Sequence, residues 1–149
     1  MINRTAQINV YFESKCAAGT GRFLEVMAHA LEVPIEEIGE LALRSDDPAS
    51  ISSTCTVFAE SEVISLFAQG TKKENIAAGI HKSIARRVAG MSKRIGVAPM
   101  LVFCGGVAKN IAVKKFLEEE LGYEIVIPEH PQLTGAIGAA LIAQENNGD

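Results

Sequence analysis

The stretch MLVFCGGVAKN, Met100 to Asn110, decides the fold of this chain. Its apolar beginning, Met100–Phe103, predicts a strand buried on both faces, as in parallel sheets covered by helices. The Gly105-Gly106 pair predicts a turn, and the apolar spacing in 110–121 predicts a helix. A second strand is expected at 124–127, so that strand, helix and strand form a right-handed crossover unit. The unit predicts an α/β fold with a short, partly parallel sheet and flanking helices.

The flanking sequence predicts one strand and several helices around this unit. Residues 1–149 are expected to form a single domain, with 144–149 as a frayed tail. Before the unit, we expect a strand at 7–12, a turn at 15–21, a helix that packs Leu24, Met27, Ala28 and Leu31, and a helix opened by Pro34, Glu36 and Glu37. A helix at 59–69 stops at Gly70, and a long helix then begins at a Thr71/Glu74 capping box, with a core stripe of Ile76, Ile80, Ile84, Val88, Met91 and Ile95. A last helix is expected at 133–144.

Composition excludes several classes of protein. The 149 residues are 48% hydrophobic and carry a net charge of −4, which argues against a nucleic-acid surface. The apolar runs are too short to span a membrane, and the first residues do not form an apolar signal core. Three cysteines without disulfide-type spacing predict reduced thiols, and therefore a cytoplasmic protein.

Two of the cysteines lie in unusual settings of small residues. Cys16 is in KCAAGTGRF, and Cys55 is in ISSTCTVFAESEV among hydroxyl side chains. Neither has a nearby Cys or His partner, so one chain offers two thiolates where an iron–sulfur cluster takes four, and a two-fold dimer would supply the others. For Cys16, the alternative is an ordinary buried cysteine in a tight turn. Cys104 ends the predicted buried strand and is interpreted as a packing residue.

Five motifs together resemble a known family. The chain is similar, from about Lys15 to Ala143, to the C-terminal half of the activator ATPase of 2-hydroxyacyl-CoA dehydratases. That family includes the ATPase subunits of benzoyl-CoA reductase and belongs to the acetate kinase, sugar kinase, Hsp70 and actin superfamily. The resemblance implies the C-terminal lobe of a ribonuclease H-like, actin-like ATPase. The motifs are KCAAGTGRF (15–23), ISSTCTVFAESEV (51–63), AGIHKSIARRV (78–88), CGGVAKN (104–110) and LTGAIGAAL (133–141).

The resemblance also implies cofactors and the residues that hold them. In the family, the cysteines that match Cys16 and Cys55 ligate one 4Fe–4S cluster shared between two subunits. The glycine loop lines an ATP site, with ATP or ADP and Mg expected in a complete two-lobe protein. A basic helix face at Lys82, Arg86 and Arg87 either flanks the nucleotide or is an ordinary solvated face. The expected nucleotide contacts are Gly105, Gly106, Val107 and Asn110.

The implied activity is ATP-dependent transfer of a single electron. A ferredoxin or flavodoxin would charge the cluster of a homodimer, and the electron would pass to a CoA-thioester dehydratase or reductase. An oxygen-sensitive cluster of this kind implies an anaerobe's cytoplasm, with no nucleic acid or membrane as partner. The rival interpretation is a non-catalytic iron–sulfur dimerisation or carrier module that has lost the ATPase half. A third is a remnant domain with free thiols and no cofactor.

Acidic residues argue against hydrolysis by this chain alone. It has three Asp, of which Asp46 and Asp47 lie in a predicted polar loop and Asp149 is terminal. The superfamily's metal-handling acids and phosphate loops are expected in the first lobe and at the start of the second, before this sequence begins. We therefore expect weak ATP binding and no turnover, and we assign no catalytic residue. The histidines His29, His81 and His130 form no metal set and are interpreted as surface or edge residues.

Overall fold

In the computed structural model, residues 21–52, 55–97 and 100–146 are described. Six α-helices, one 3-10 helix and two short strands lie in these ranges. The elements are α1 (Gly21–Ala30), α2 (Ile38–Leu43), α3 (Thr56–Ala68), α4 (Lys73–Ile95), β1 (Leu101–Val102), the 3-10 helix Gly106–Lys109, α5 (Ile111–Leu121), β2 (Ile125–Val126) and α6 (Thr134–Asn146).

The core lies among the first five helices. The long helix α4 packs on α2, α3 and α5, while α1 packs on α3 and α2 on α5. Apolar residues recur every three or four positions on these helices, which places them on one face. The predicted stripe on α1 is confirmed, since Leu24, Met27, Ala28 and Leu31 are all buried. On α4, Ile76, Ile80 and Ile84 are buried as predicted.

The predicted crossover unit is confirmed as a parallel pair of strands joined by α5. Leu101 pairs with Ile125 and Val102 with Val126. Asn110 caps α5 at its N-terminus, and Gly122 ends it in the left-handed conformation with φ +74°. The structure therefore has a two-stranded parallel sheet flanked by helices, which is the expected fold class.

Burial of β1 on both faces was predicted wrongly. Leu101 and Phe103 pack against the core, whereas Met100 is 87% exposed and Val102 60% exposed. Successive strand residues point to opposite faces, and among the described residues helices cover one face of this strand. Met100 also has φ +72°, which is incompatible with a strand, so β1 begins one residue later.

Two helix starts also differ from the sequence prediction. The Thr71 capping box does not form, because the Thr71 N–H donates to Leu66 O and closes the end of α3 together with Gly70, whose φ is +83°. Lys72 occupies the N-cap of α4 instead. Pro34 and Glu37 form a turn that precedes α2, so α2 begins at Ile38.

The ends of the chain match the prediction only in part. The last helix continues to Asn146, two residues beyond the predicted end. The strand expected at 7–12 lies outside the described residues, as does the turn expected at 15–21 except for Gly21, which is the first residue of α1. No helix in the described ranges is both long and apolar enough to cross a membrane.

Candidate functional site

The turn after β1 has the geometry that its glycines allow. Gly105 has φ +93°, a region that side-chain-bearing residues rarely adopt. Its N–H donates to the carbonyl oxygen of Pro131 at 2.8 Å, which fixes the turn against the segment before α6. A 3-10 turn from Gly106 to Lys109 then leads into the N-cap Asn110. The chain thus reverses direction at the carboxyl end of a parallel strand, where α/β sheets bind ligands.

A cavity of about 520 Å³ opens beside this turn, and we call it the glycine-loop cavity. Three of the four predicted nucleotide contacts, Gly106, Val107 and Asn110, lie in its wall. Gly105 lines an adjacent cavity of about 180 Å³ instead. The remaining wall residues come mostly from α1, α2 and the segments around them, and they are Gly21, Leu24, Glu25, Ile35, Glu36, Gly39 and Glu40. Lys109 of the 3-10 helix, Ile111 of α5 and Gln132 before α6 complete the wall.

Small residues let the backbone approach closely around this cavity. A side chain at Gly106 would come within 3.3 Å of Gln132 Nε2. A side chain at Gly39 would come within 2.8 Å of Asn110 Oδ1. That oxygen accepts hydrogen bonds from the N–H groups of Ala112 and Val113, each at 3.0 Å. Asn110 therefore both caps α5 and forms part of the cavity wall.

The charges around the glycine-loop cavity are unevenly distributed. Glu25, Glu36 and Glu40 lie on the side made by α1 and α2, and Lys109 lies on the side made by the turn. Carboxylates repel phosphate but accept hydrogen bonds from hydroxyl and amino groups. A nucleotide in this cavity would therefore place its sugar or base, and not its phosphates, beside α1 and α2.

The basic face of α4 does not flank this cavity. Lys82 lies over the Phe116 ring at 5.7 Å, and Arg86 pairs with Glu120 at 3.3 Å. Arg86 and Arg87 line a separate opening of about 690 Å³ with Arg94. Of the two alternatives for this face, the one that placed it beside the nucleotide does not fit the glycine-loop cavity.

Cys55 is exposed at the start of α3, while Cys16 lies outside the described residues. Cys55 is the N-cap residue, with φ −83° and ψ +131°, and its side chain makes no capping hydrogen bond. The N-terminus of a helix has free N–H groups that interact favourably with negative charge. No group of three or more His, Cys, Asp or Glu residues within the described ranges could by itself hold a metal ion.

Large apolar side chains that follow Cys55 in the sequence are exposed on α3. Val57 is 65% exposed and Phe58 67% exposed, and Ile64 is exposed one to two turns further on. Large apolar side chains exposed together typically mark a contact surface. Cys104, in contrast, was predicted to pack in the core and is exposed, because the strand before it is covered on one face.

The histidine prediction is wrong at one position. His29 and His130 are exposed as expected, whereas His81 on α4 is fully buried. The sequence held a signal for this, since His81 stands four residues from both Ala77 and Ala85, which are buried on the same helix face. The contributions of Gly39 and Glu40 to the cavity had no such signal, because α2 is far from the glycine turn in sequence.

Comparison with known proteins gives concordant matches. The BadF/BadG/BcrA/BcrD ATPase family matches residues 2–143. A 2-hydroxyisocaproyl-CoA dehydratase activator from Clostridioides difficile is 52% identical over 141 residues, 95% of this chain and 53% of the relative. An (R)-2-hydroxyglutaryl-CoA dehydratase activating ATPase from Acidaminococcus fermentans is 53% identical over 135 residues, 91% of this chain and 52% of the relative.

Solved structures agree with the fold. The activator of the 2-hydroxyisocaproyl-CoA dehydratase from Clostridium difficile with bound ADPNP superimposes with a TM-score of 0.87 at 52% identity, covering 93% of this chain and 52% of that protein. Component A of the (R)-2-hydroxyglutaryl-CoA dehydratase from Acidaminococcus fermentans also superimposes with a TM-score of 0.87, and the match covers 91% of this chain and 52% of that protein. The chain thus spans about half the length of the relatives it matches.

Proposed function

The chain belongs to the BadF/BadG/BcrA/BcrD ATPase family, and we propose that it is the iron–sulfur, nucleotide-linked lobe of an activator. In a complete two-lobe protein, this activator uses ATP hydrolysis to pass a single electron to a CoA-thioester dehydratase or reductase. The observation that carries the proposal is the glycine-loop cavity. It joins a glycine turn at the end of a parallel strand to a space of about 520 Å³, large enough for much of a nucleotide.

The nucleotide is proposed to bind with its adenosine end toward α1 and α2. Glu36 and Glu40 there offer acceptors for ribose hydroxyl groups, while their charge disfavours phosphate. Lys109 and the backbone of Gly106 lie on the opposite side, where a diphosphate is tolerated. The four proposed contacts are Gly105, Gly106, Val107 and Asn110. The ADPNP bound to a relative of 52% identity supports a nucleotide site in this fold.

Cys55, with Cys16, is proposed to hold a 4Fe–4S cluster shared with a second copy of the chain. The described residue of this pair fits the role, since the Cys55 thiol is exposed, makes no capping hydrogen bond and lies at a helix N-terminus. The exposed Val57 and Phe58 offer a surface for a homodimer beside it. When bound, the cluster supplies one-electron redox chemistry. The α3 N-terminus contributes N–H groups that stabilise the negative charge of the thiolates.

The proposed partners follow the names of the relatives. Dehydratase activators and a benzoyl-CoA reductase subunit are the similar proteins, so the electron acceptor is proposed to act on a CoA thioester. A ferredoxin or flavodoxin is proposed as the donor, in a cytoplasmic setting without oxygen. ATP hydrolysis with Mg is assigned to the complete two-lobe protein.

One observation favours the rival, a non-catalytic iron–sulfur dimerisation or carrier module. Among the described residues, the wall of the glycine-loop cavity contains three Glu and no Asp. Asp46 instead pairs with Lys72 at 3.5 Å, outside that wall. An ATPase assay of the chain with and without an added first lobe separates the two, because the activator predicts hydrolysis in the complemented sample and the carrier module predicts none in either.

Anaerobic reconstitution with iron and sulfide tests the cluster. We expect a brown dimer with about four irons per two chains, measured by visible absorption, iron content and mass in solution. Cys55→Ser and Cys16→Ser should lose the colour and the iron. Cys104→Ser is the matched control, since Cys104 is also exposed but is assigned no ligand role. A colourless wild-type protein without iron, or equal loss in Cys104→Ser, would contradict the proposal.

A further inference from the structure

Three arginines of α4 line an opening of about 690 Å³ that has no part in the proposed nucleotide site, and we call it the arginine-lined opening. Arg86, Arg87 and Arg94 lie in its wall, and residues 50–52 of the loop before α3 complete it together with small residues of α4. Of the described residues in this wall, none is Asp or Glu. The chain has a net charge of −4, so this opening concentrates positive charge on a protein that is acidic as a whole.

The positive charge of the opening is available at the surface. Arg86 and Arg94 are exposed. Arg86 pairs with Glu120 at 3.3 Å, but its side chain is 66% exposed, and a pair of this kind is weak in water. Arg94 makes no ion pair with the described residues. Guanidinium groups match the planar geometry of carboxylates, so the opening is suited to an anionic partner.

The exposure of these arginines favours a protein partner over a small ion. An exposed ion pair contributes only up to about 1 kcal/mol, because water and salt screen it. A single small anion would therefore be held weakly in so open a space. A protein surface that carries several carboxylates adds such contributions together, and the summed field also speeds the encounter of the two proteins.

The arginine-lined opening lies close to Cys55. Ser52, in its wall, donates from its N–H and its Oγ to the Glu62 carboxylate on α3, each at 3.1 Å. Cys55 is the N-cap of that same helix. Three peptide units separate Ser52 from Cys55, so their Cα atoms are at most about 11 Å apart. An exposed thiol that is proposed to hold a redox cluster is therefore near a surface that attracts acidic proteins.

We propose that the arginine-lined opening is the docking surface for an electron-carrier protein with an acidic surface, which delivers one electron to the cluster at Cys55. The carrier loses one electron, the cluster gains it, and no bond forms or breaks. Because the rest of the chain is acidic, charge repulsion elsewhere and attraction here direct the carrier to this face. The redox role of the partner rests on the proposed function, while the binding of an acidic carrier to the opening is measured independently of the cluster.

NMR titration of the isotope-labelled 149-residue chain with an oxidised flavodoxin of strongly negative net charge tests the docking. We expect shifts at Ser52, Gly90 and Arg94, at about 0.01 M salt. The flavodoxin dissociation constant should rise about tenfold in the double variant Arg86→Glu/Arg94→Glu, because two attractive charges become repulsive. Arg44→Glu is the matched control, since Arg44 is also exposed but lies outside the wall of the opening, and its affinity should stay at the wild-type value.

Flavodoxin that produces no shifts at the opening, or an equal loss of affinity in Arg44→Glu and in the double variant, overturns the inference. The wild type decides it without any variant, because its affinity should fall steeply as the salt rises from about 0.01 M to about 0.1 M, and an unchanged affinity contradicts an electrostatic surface. Inorganic phosphate that shifts the same residues while flavodoxin does not would instead assign the opening to a small anion, and so overturn the inference.

A kinetic experiment on the reconstituted dimer separates the docking from the proposed function. The rate constant for reduction of the cluster by reduced flavodoxin should fall about tenfold in the double variant at low salt, whereas reduction by the methyl viologen radical cation should not fall. An equal fall with both reductants overturns the inference, because a general effect on the cluster then explains it. A chain that binds flavodoxin at the opening but forms no cluster contradicts the proposed function and leaves the docking surface supported.

Discussion

Large apolar residues are mostly buried in the helices α1 to α5 and mostly exposed at the edge formed by β1, β2 and α6. In the helical layer, Met27, Ile38 and Ile80 are completely buried. At the edge, Met100, Val126, Ile137 and Leu141 are exposed together, as are further large apolar side chains. The helical layer therefore encloses its own core, whereas the described residues leave the edge uncovered.

The sequence of α6 explains this difference. TGAIGAALIAQEN is apolar on nearly all sides, so it has no distinct solvent face, unlike α1, whose apolar residues lie on one side. A helix that is apolar all round is typical of a fully buried position. The glycine-loop cavity lies at this boundary, because its walls come from α1 and α2 on one side and from the turn after β1 and Gln132 on the other.

Two matched isoleucine truncations test the comparison with the largest expected effect. Ile80→Ala removes a side chain with no exposure and should lower the free energy of unfolding by about 2–5 kcal/mol. Ile142→Ala removes one that is 61% exposed and should change it by less than about 0.5 kcal/mol. Chemical denaturation measures both. A loss at Ile142 as large as at Ile80 would show that α6 is covered in solution.

Substitution of two glycines of α4 tests how closely residues 45–50 pack against this helix. A side chain at Gly79 would overlap the carbonyl oxygen of Ala49, so Gly79→Ala should destabilise by about 1–3 kcal/mol. No atom of the described residues lies within 4 Å of a side chain at Gly90, so Gly90→Ala should stabilise by about 0.5–1 kcal/mol through helix propensity. Thermal unfolding compares the two, and equal shifts would contradict the packing of residues 45–50 against α4.

Acidification should weaken the helical layer through His81. Burial is the main cause that lowers the pKa of His81 below its ordinary value of 6.5. Below pH 6.5 the imidazole is therefore protonated more readily in the unfolded chain than in the folded chain. The stability from this group is present above pH 6.5 and falls as the pH drops below that value. Unfolding measured from pH 8 to pH 5 should show this decline in the wild type and a flatter curve in His81→Gln, and parallel curves would contradict it.

The smallest expected effect on stability concerns Glu118, which connects α5 in the helical layer to β2 at the edge. The Glu118 carboxylate accepts from Lys114 Nζ at 2.6 Å and from the Ile125 N–H at 2.8 Å, so it ties α5 to β2. The hydrogen bond from Lys114 is the main cause that lowers the pKa of Glu118 below 4.5. This contribution is present above pH 4.5 and is lost as the pH falls through the lowered value. Glu118→Gln should therefore lose less stability than the wild type on acidification below pH 4.5, as measured by denaturation at a series of pH values. Equal losses in the two proteins would contradict the prediction.

The sequence predicted the elements that local periodicity controls. The β1–α5–β2 unit, the stripe of α1 and the stop at Gly70 depend on residues close in the chain, and the structure confirms them. The burial of β1 could not be predicted in the same way, because it depends on what covers each face of the strand. Met100 and Cys104 were expected inside on the strength of an apolar run, and they are exposed because β1 is covered on one face.

The candidate site was predictable only where one segment builds it. The glycine turn contributes Gly106, Val107 and Asn110 to the cavity, and all three could be named from a single motif. The opposite wall comes from α1 and α2, whose approach to the turn depends on tertiary packing, and so Gly39 was missed. Cys55 is exposed, and its assignment as a ligand stays a prediction, as do those of Cys16 and of the cluster.

Nucleotide binding to the glycine-loop cavity is the most direct test of the account. NMR titration of the 149-residue chain with ADP to millimolar concentration detects even weak binding. We predict shifts at Gly39, Gly106 and Val107, with little change at Arg86 and Arg94 on the other face of the helical layer. The absence of shifts at the glycine turn, or shifts confined to the arginine-lined opening, would contradict the proposal that this lobe binds a nucleotide through its glycine loop.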